Sequence, residues 1–472
     1  MTRVLLVNPP SPERLGAPLL GQQYVAAALL RRGCEVRVID AAARHADPSR
    51  AAIAAAADDF APDVIAIGLF TRWVWHAYRL VDELCATRRA RRPLLVAGGA
   101  HATVRPHETL ARGFDVAVVG EAEETVVDLV DALDRKRDLA TVAGLVLRGA
   151  DGRTHATAPR GFVQDLDRLA WPQLAQPLYD PAWYAGARDG AHAHGAAPGG
   201  MLTSRGCPAR CTFCANYVTG RGFRHRDAAD VAAELNATHD AGGNTFFPFW
   251  DDALTARRDH LERLCTALRR DVRFPLAWSA ITRSTMVTPE ILSAMRDAGC
   301  VAVNFGVESG DDDILRAIRK GITTATVVRA LEWAKELGLR TACNFMLGFP
   351  QETPEHVERT LRFMERIAPL VDAFSTLGVL TPFPGTPLYE EHHRDYGFTD
   401  WWLEERCARF AEAPPIAARD AFVRHYLDDA TLELDFFRYT PAMRDAIRDC
   451  LRFKGEHNLR GMGLLGREGV AA

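Results

Sequence analysis

Three cysteines stand within eight positions, in the stretch SRGCPARCTFCAN (204–216): Cys207, Cys211 and Cys214. Ten cysteines among 472 residues produce this triplet spacing by chance in roughly 0.004 of such chains. A thiolate is a strong metal ligand. Gly206 and Pro208 interrupt regular structure, so the segment reads as a loop that can turn three sulfurs toward one point. Two metal sites suit it. A structural zinc would need a distant fourth ligand such as His225, although closed zinc sites are usually built from two paired motifs. A 4Fe–4S cluster on three thiolates leaves one iron without a protein ligand. That open corner suits a small molecule binding through an amine and a carboxylate.

Such a loop needs a scaffold. From residue 199 onward, apolar strands alternate with amphipathic helices: GGMLTS, NTFFPFW, LAWSAI, AVNFGV, TACNFML and AFSTLGVL, with helices near 227–240, 256–270, 289–298, 324–337 and 354–366. Six strand–helix units predict a partial (β/α)6 barrel over 199–395, with its chemistry at the strand C-termini. Residues 1–140 show the same alternation: strands at 3–8, 35–40, 64–70, 94–99 and 116–120, helices around 20–32, 50–59, 73–89 and 122–134. Near-continuous aliphatic strands of this kind predict a parallel, Rossmann-like sheet covered on both faces. Residues 141–198, rich in Pro, Gly and Ala, read as a linker. His192 and His194 within it are metal ligands or solvated linker residues. Residues 396–472 read as a small, mostly helical region that caps the substrate. Its Trp401, Trp402 and Tyr426, with Tyr389 just before it, are pocket lining or aromatic core.

On these residues the chain resembles the radical S-adenosylmethionine enzymes. Cys207-x3-Cys211-x2-Cys214, with Phe213 just before the last cysteine, is similar to their signature, and further segments follow in the family's order: FFPFWDD (246–252), GVESGDDDILRAIRKGIT (306–323), NFMLGFPQET (344–353) and PFPGTPLYE (382–390). The resemblance spans about 200–390. It implies that Cys207, Cys211 and Cys214 are catalytic and hold a 4Fe–4S cluster, at which S-adenosylmethionine is cleaved to a 5′-deoxyadenosyl radical. It implies S-adenosylmethionine contacts at Phe213, Trp250, Asp251, Arg283, Glu308, Ser309, Asn344, Leu347 and Gly348. A structural role stands beside several of these. Asp251 and Asp252 suit a helix cap, Glu308 a surface acid, Arg283 an ion pair and Gly348 a turn.

Residues 1–140 resemble the cobalamin-binding domain often fused ahead of such barrels, through LLVNPP, LGQQYVAAALLRRGCEVRVID, GGAHATVRPHE and VVGEAEET. The resemblance implies cobalamin contacts at Asn8, Thr71, Arg72, Trp73, Gly98, Gly99, His101, Gly120 and Glu121. Parallel sheets of this size also bind flavins and nucleotides, but no GxGxxG follows the first strand. The Asp-x-His-x-x-Gly loop whose His ligates cobalt in many cobalamin domains is also absent. Arg72 or Trp73, in LFTRWVWHA, would then lie under the corrin, unless Trp73 and Trp75 are helix core.

Together these resemblances imply a cobalamin-dependent C-methyltransferase acting on an unactivated carbon of a small biosynthetic substrate. Oxidative cyclisation or rearrangement with the same cofactors is a second reading, and a non-catalytic corrinoid or iron–sulfur sensor a third. An RNA methylthiotransferase fits less well, because Cys34 and Cys85 lack cluster spacing and 396–472 is not basic. The expected partners are the small-molecule substrate and an external one-electron reductant of flavodoxin or ferredoxin type. A net charge of −4 suggests neither nucleic acid nor an anionic membrane. Four lysines stand against 53 arginines, which are scattered as in a high-G+C coding bias. The other seven cysteines lie singly in apolar segments, as in a reducing compartment. The run in MTRVLLVNPP is too short for a signal-peptide core. The expectation is a cytoplasmic protein.

Overall fold

In the computed structural model, all residues are described except 13, 48, 87–91, 150–151, 185–199, 409–417, 429 and 466–472. His192 and His194 lie outside the described residues.

The first sheet contains β1 (Arg3–Asn8), β2 (Glu35–Asp40), β3 (Val64–Gly68), β4 (Leu94–Gly98), β5 (Val116–Val118), β6 (Leu145–Arg148) and β7 (Thr154–Ala156). Their order is β2-β1-β3-β4-β5-β6-β7. The first five are parallel and the last two antiparallel. The aliphatic runs account for the parallel part: Val4 to Val7, Ile65, Ile67 and Leu95 to Ala97 are buried between helices on both faces. Strand order reverses at β1–β3, the place where doubly wound sheets open a crevice beyond their carboxyl ends. The antiparallel pair β6–β7 differs from the expected linker. Its short runs LVLR and THA carry too little hydrophobic signal to stand out.

The second sheet holds β10 (Phe246–Phe249), β11 (Ala277–Thr282), β12 (Cys300–Glu308), β13 (Arg340–Leu347) and β14 (Ala373–Val379), all parallel and in that order. Between the sheets a two-stranded ladder pairs β8 (Ser204–Arg205) with β9 (Arg224–His225). The expected first barrel strand, GGMLTS, is reduced to one parallel bridge, Met201 to Phe249, followed by β8. Gly200 takes φ +84°, outside the strand region. The partial barrel is therefore five full strands and a stub.

Alternation along β12 and β13 separates two faces. Val303, Phe305 and Val307, like Thr341, Cys343, Phe345 and Leu347, are buried against the outer helices. Asn304 and Asn344 face the interior and are only half-buried. Closed barrels fill this face with bulky branched side chains; here it stays polar and open.

The C-terminal helix Pro441–Gly461 packs on helix Pro354–Ile367 and on β14. Its Asn458 accepts from Phe374 N at 2.9 Å and donates to Phe374 O at 2.8 Å. One side chain thereby satisfies backbone groups on an edge strand. Tyr389, Trp401 and Trp402 are fully buried in this region, so they are aromatic core. Among the described residues, no helix is long and apolar enough to cross a membrane.

Candidate active site

The cysteine loop leaves β8 and returns through β9, held from several sides. Asp252 accepts from Gly206 N (2.9 Å) and Thr219 Oγ1 (2.7 Å). Thr212 N donates to Ile318 O, and Leu388 N donates to Thr212 O, each at 3.0 Å. All three cysteines are free thiols; Cys211 is buried, Cys207 half-buried and Cys214 the most exposed. Protein packed around Cys214, with the Cys211 and Cys207 sulfurs beside it, pushes its thiol up to about 11. A bound cation reverses that sign and keeps thiolates deprotonated.

The three sulfurs do not all lie within 4.8 Å of one another. Among the described residues, the only three metal-type ligand atoms within 4.8 Å of one another belong to Asp311, Asp313 and His356. Thiolates sharing one tetrahedral zinc stand about 3.8 Å apart, given a Zn–S bond near 2.3 Å. His225 is elsewhere engaged, stacked on His260 at 4.6 Å and hydrogen-bonded to Arg226 O. A three-cysteine cube is the metal group that these residues fit.

Around the loop stand several of the expected S-adenosylmethionine residues. Arg283 Nη1 donates to Cys211 Sγ at 3.5 Å, while its Nε is buried without a partner. Glu308 ends β12 after a bulge with φ +76°, a conformation uncommon for a non-glycine residue and often found at functional sites. Lys320 Nζ donates to Glu308 Oε1 at 2.6 Å and lies 5.8 Å from the Phe213 ring centre. Phe213 also packs on Phe349. Inside the barrel, Asn304 Nδ2 donates to Ser375 Oγ (3.3 Å), whose hydroxyl donates to Asn344 Oδ1 (2.5 Å). Asn304 Oδ1 is buried without a partner, an acceptor available to a ligand.

Other expected residues are engaged within the protein or stand apart from the loop. Asp251 accepts from Thr203 N (3.2 Å), Thr203 Oγ1 (2.7 Å) and Ser204 Oγ (2.5 Å), fastening the strand stub; burial pushes its carboxyl up to about 6. Ser309 Oγ is hydrogen-bonded to Thr360 (3.2 Å) and accepts from Asp311 N. Leu347 points to the outer helices, because the odd-numbered residues of β13 are the outward row. Trp250 is 46% exposed and covers Gly200. The space over Gly348 is closed: a Cβ there would fall 2.1 Å from Tyr439 Oη, which donates to Gly348 O at 2.9 Å. Glu352 Oε2 accepts from Gly348 N (2.6 Å) and Phe349 N (3.0 Å), and its Oε1 is buried without a partner. Burial pushes this carboxyl up to about 8.

Beyond the ends of β1, β3, β4 and β5 lies an apolar cavity of about 310 Å³. Asn8, Gly98, Gly99, Gly120 and Glu121 line it, as expected, together with Gly68 and Phe70. A Cβ on Gly68, Gly98 or Gly120 would meet nothing within 4 Å. These glycines form a cradle open to a bulky ligand, and the cavity fits part of a corrinoid. Its far wall is Leu202, Arg205, Val218 and Thr219, the flanks of the cysteine loop.

Four expected corrin contacts, Thr71, Arg72, Trp73 and His101, do not line this cavity, and Asn8 and Glu121, which do, are also engaged within the protein. His101 is fully buried, hydrogen-bonded to Thr71 Oγ1 (3.1 Å) and Tyr78 Oη (3.1 Å), beside Glu108. Trp402 Nε1 completes that network by donating to Glu108 at 3.1 Å. Arg72 reaches out of the first sheet and donates to Thr381 Oγ1 (3.2 Å) at the end of β14, over the Trp73 ring. Asn8 Nδ2 is engaged by Asp40 (2.6 Å). Glu121 joins the two halves: it accepts from Arg205 (3.0 Å), Arg224 (2.9 Å) and Val163 N (2.7 Å), while Glu123 accepts from Arg205 at 2.6 Å.

Sequence reading missed Lys320, Asn304, Ser375 and Thr381. Lys320 carried a signal, as one of only four lysines in an arginine-rich chain. The others carried none.

Residues 201–364 match the Radical SAM superfamily and residues 17–130 the B12 binding domain. The chain is 31% identical over 397 residues to "Uncharacterized methyltransferase PH0819" of Pyrococcus horikoshii, covering 82% of each protein. It is 27% identical to cytidylyl-2-hydroxyethylphosphonate methyltransferase of Streptomyces wedmorensis, over 84% of this chain and 83% of that one. Its fold is similar to that of the radical S-adenosylmethionine methyltransferase TsrM of Kitasatospora setae, at TM-score 0.66 and 21% identity, with 84% of this chain and 77% of that chain covered. The chain belongs to the cobalamin-dependent radical S-adenosylmethionine enzymes. Its cofactors are accordingly a 4Fe–4S cluster, S-adenosylmethionine and cobalamin.

Proposed function

We propose that the protein is a C-methyltransferase that adds a methyl group to an unactivated carbon of a small biosynthetic substrate, using electrons from a flavodoxin- or ferredoxin-type donor. When bound, the cluster with S-adenosylmethionine supplies a hydrogen-abstracting radical, and cobalamin supplies the methyl group. The observation that carries this reading is the shared wall. Arg205, Val218 and Thr219 line the corrinoid cavity and flank the three cysteines, so the two halves of the chemistry face one another.

In this reading Cys207, Cys211 and Cys214 hold the cluster, and Asp252 keeps their loop in shape. Glu308, held by Lys320, meets the ribose of S-adenosylmethionine. Asn304, Ser375 and Asn344 orient what enters the barrel. Arg72, reaching Thr381, spans the gap from the corrinoid domain to the barrel mouth and helps exclude water. The names of the relatives, several of them methyltransferases, support the same outcome.

The test uses anaerobically reconstituted enzyme with cobalamin, strong reductant, candidate substrates and methyl-deuterated S-adenosylmethionine. Methyl transfer yields S-adenosylhomocysteine and 5′-deoxyadenosine together, with deuterated product. Formation of 5′-deoxyadenosine without S-adenosylhomocysteine refutes it in favour of oxidative cyclisation or rearrangement. Cys211→Ala should abolish 5′-deoxyadenosine and methylated product, leaving at most one S-adenosylhomocysteine per bound cobalamin.

A further inference from the structure

Buried guanidinium groups need anionic partners, because an unpaired buried charge costs several kcal/mol. Arg205, Arg224 and Arg226 obey this: they pair with Glu121 and Glu123, with Glu121, and with Asp230 and Glu234 respectively. Arg283 does not. Its Nε is buried with no partner, and among the described residues no carboxylate lies within 4.0 Å of its guanidinium. The one group it addresses is Cys211 Sγ, at 3.5 Å.

The fold aims it there. β11 ends at Thr282, and the next residue opens the turn Ser284–Met286, with Met286 N donating to Arg283 O at 2.9 Å. On the other side Gly321 leaves room: a Cβ there would stand 3.3 Å from Arg283 Nη2. The neighbouring cation, Lys320, cannot play the same part, since Glu308 already balances its charge. Arg283 is thus a partly buried positive charge without a carboxylate partner, hydrogen-bonded to one of the loop's sulfurs.

We infer that Arg283 is the counter-charge of the Cys211 thiolate in the loaded cluster and raises the cluster's reduction potential. This goes beyond the S-adenosylmethionine contact implied by family resemblance, because it acts before that molecule binds. It rests on Cys211 being a cluster ligand. The physical reason is general. An N–H bond to a ligand sulfur and a nearby cation both stabilise the state with one more electron, and charge-assisted bonds do so most strongly. Arg283 is in this sense a positioning residue for electrons. It makes the cluster easier for an external donor to reduce.

The experiment is a redox titration of the reconstituted, S-adenosylmethionine-free holoenzyme, followed by the EPR signal of the reduced cluster, with iron and sulfide counted per chain. R283Q should keep its iron and shift its midpoint to more negative potential. R283K, which retains the charge but not the reach, should fall between R283Q and wild type. K320Q should shift less than R283Q. The inference is overturned if iron-replete R283Q titrates like wild type and only its affinity for S-adenosylmethionine falls. Should R283Q hold no iron, R283K decides: a negative shift supports the inference, and a wild-type midpoint overturns it. Wild-type protein that takes up no iron removes the cofactor assignment itself, and this inference with it.

Discussion

Glu352 offers a titration that reports on how the C-terminal region is fastened to the barrel. Its carboxyl is enclosed beneath the end of β13, with two backbone N–H groups on Oε2 and none on Oε1. Burial pushes it up to about 8, against an ordinary glutamate near 4.3. The sign follows from linkage. Between those values the folded protein keeps a proton that the unfolded chain has released, so stability falls as pH rises. Each pH unit in that window costs about 1.4 kcal/mol, so about 4 kcal/mol is lost between pH 5 and pH 8. Glu352→Gln keeps an acceptor for Gly348 N and Phe349 N but cannot ionise. The variant should match wild type near pH 5 and exceed it by about 4 kcal/mol at pH 8. Urea unfolding of both proteins at pH 5, 6, 7 and 8, followed by circular dichroism, measures the difference. A difference that stays flat across that range would refute the reasoning.

Three other perturbations test separate parts of the structure. Gly348→Ala places a Cβ against Tyr439 at positive φ and should cost about 2–4 kcal/mol; in a Tyr439→Ala background only the backbone strain should remain, and equal costs in the two backgrounds would contradict the packing. Glu121→Ala strands the buried guanidinium of Arg224, while Arg205 keeps Glu123, and should destabilise the protein by about 3–5 kcal/mol, read from the unfolding midpoint. Gly98→Val projects into open cavity, so thermal stability should hold while cobalamin affinity in equilibrium dialysis drops at least tenfold; unchanged affinity would show that the cavity is not the corrinoid's.

The strands and helices were legible because their hydrophobic runs are long and cleanly bounded: VIAIGLF and TACNFML announce buried parallel strands whatever surrounds them. GGMLTS was not, because its role depends on Gly200 turning to positive φ and on Asp251, some fifty positions away, holding Thr203 and Ser204. The site was legible to the same extent. Cysteine spacing is local and survives in one dimension. Glu121, His101, Asn8, Ser309 and Asp251 have plausible residue types beside the right strands, but each also holds partners from distant segments that one dimension does not show. Lys320 escaped notice for the same reason, since only folding brings it to Glu308.

The acid–base joint of Glu121 and Glu123 with Arg205 and Arg224 bears on engineering. Arg205 stands two positions before the first cysteine and lines the apolar cavity beyond the first sheet, so the halves of this enzyme are not interchangeable cassettes. A chimera that borrows its front half from a relative must import or match all four residues as one set, or it will trap bare charges at the seam and misplace the sulfurs next to it.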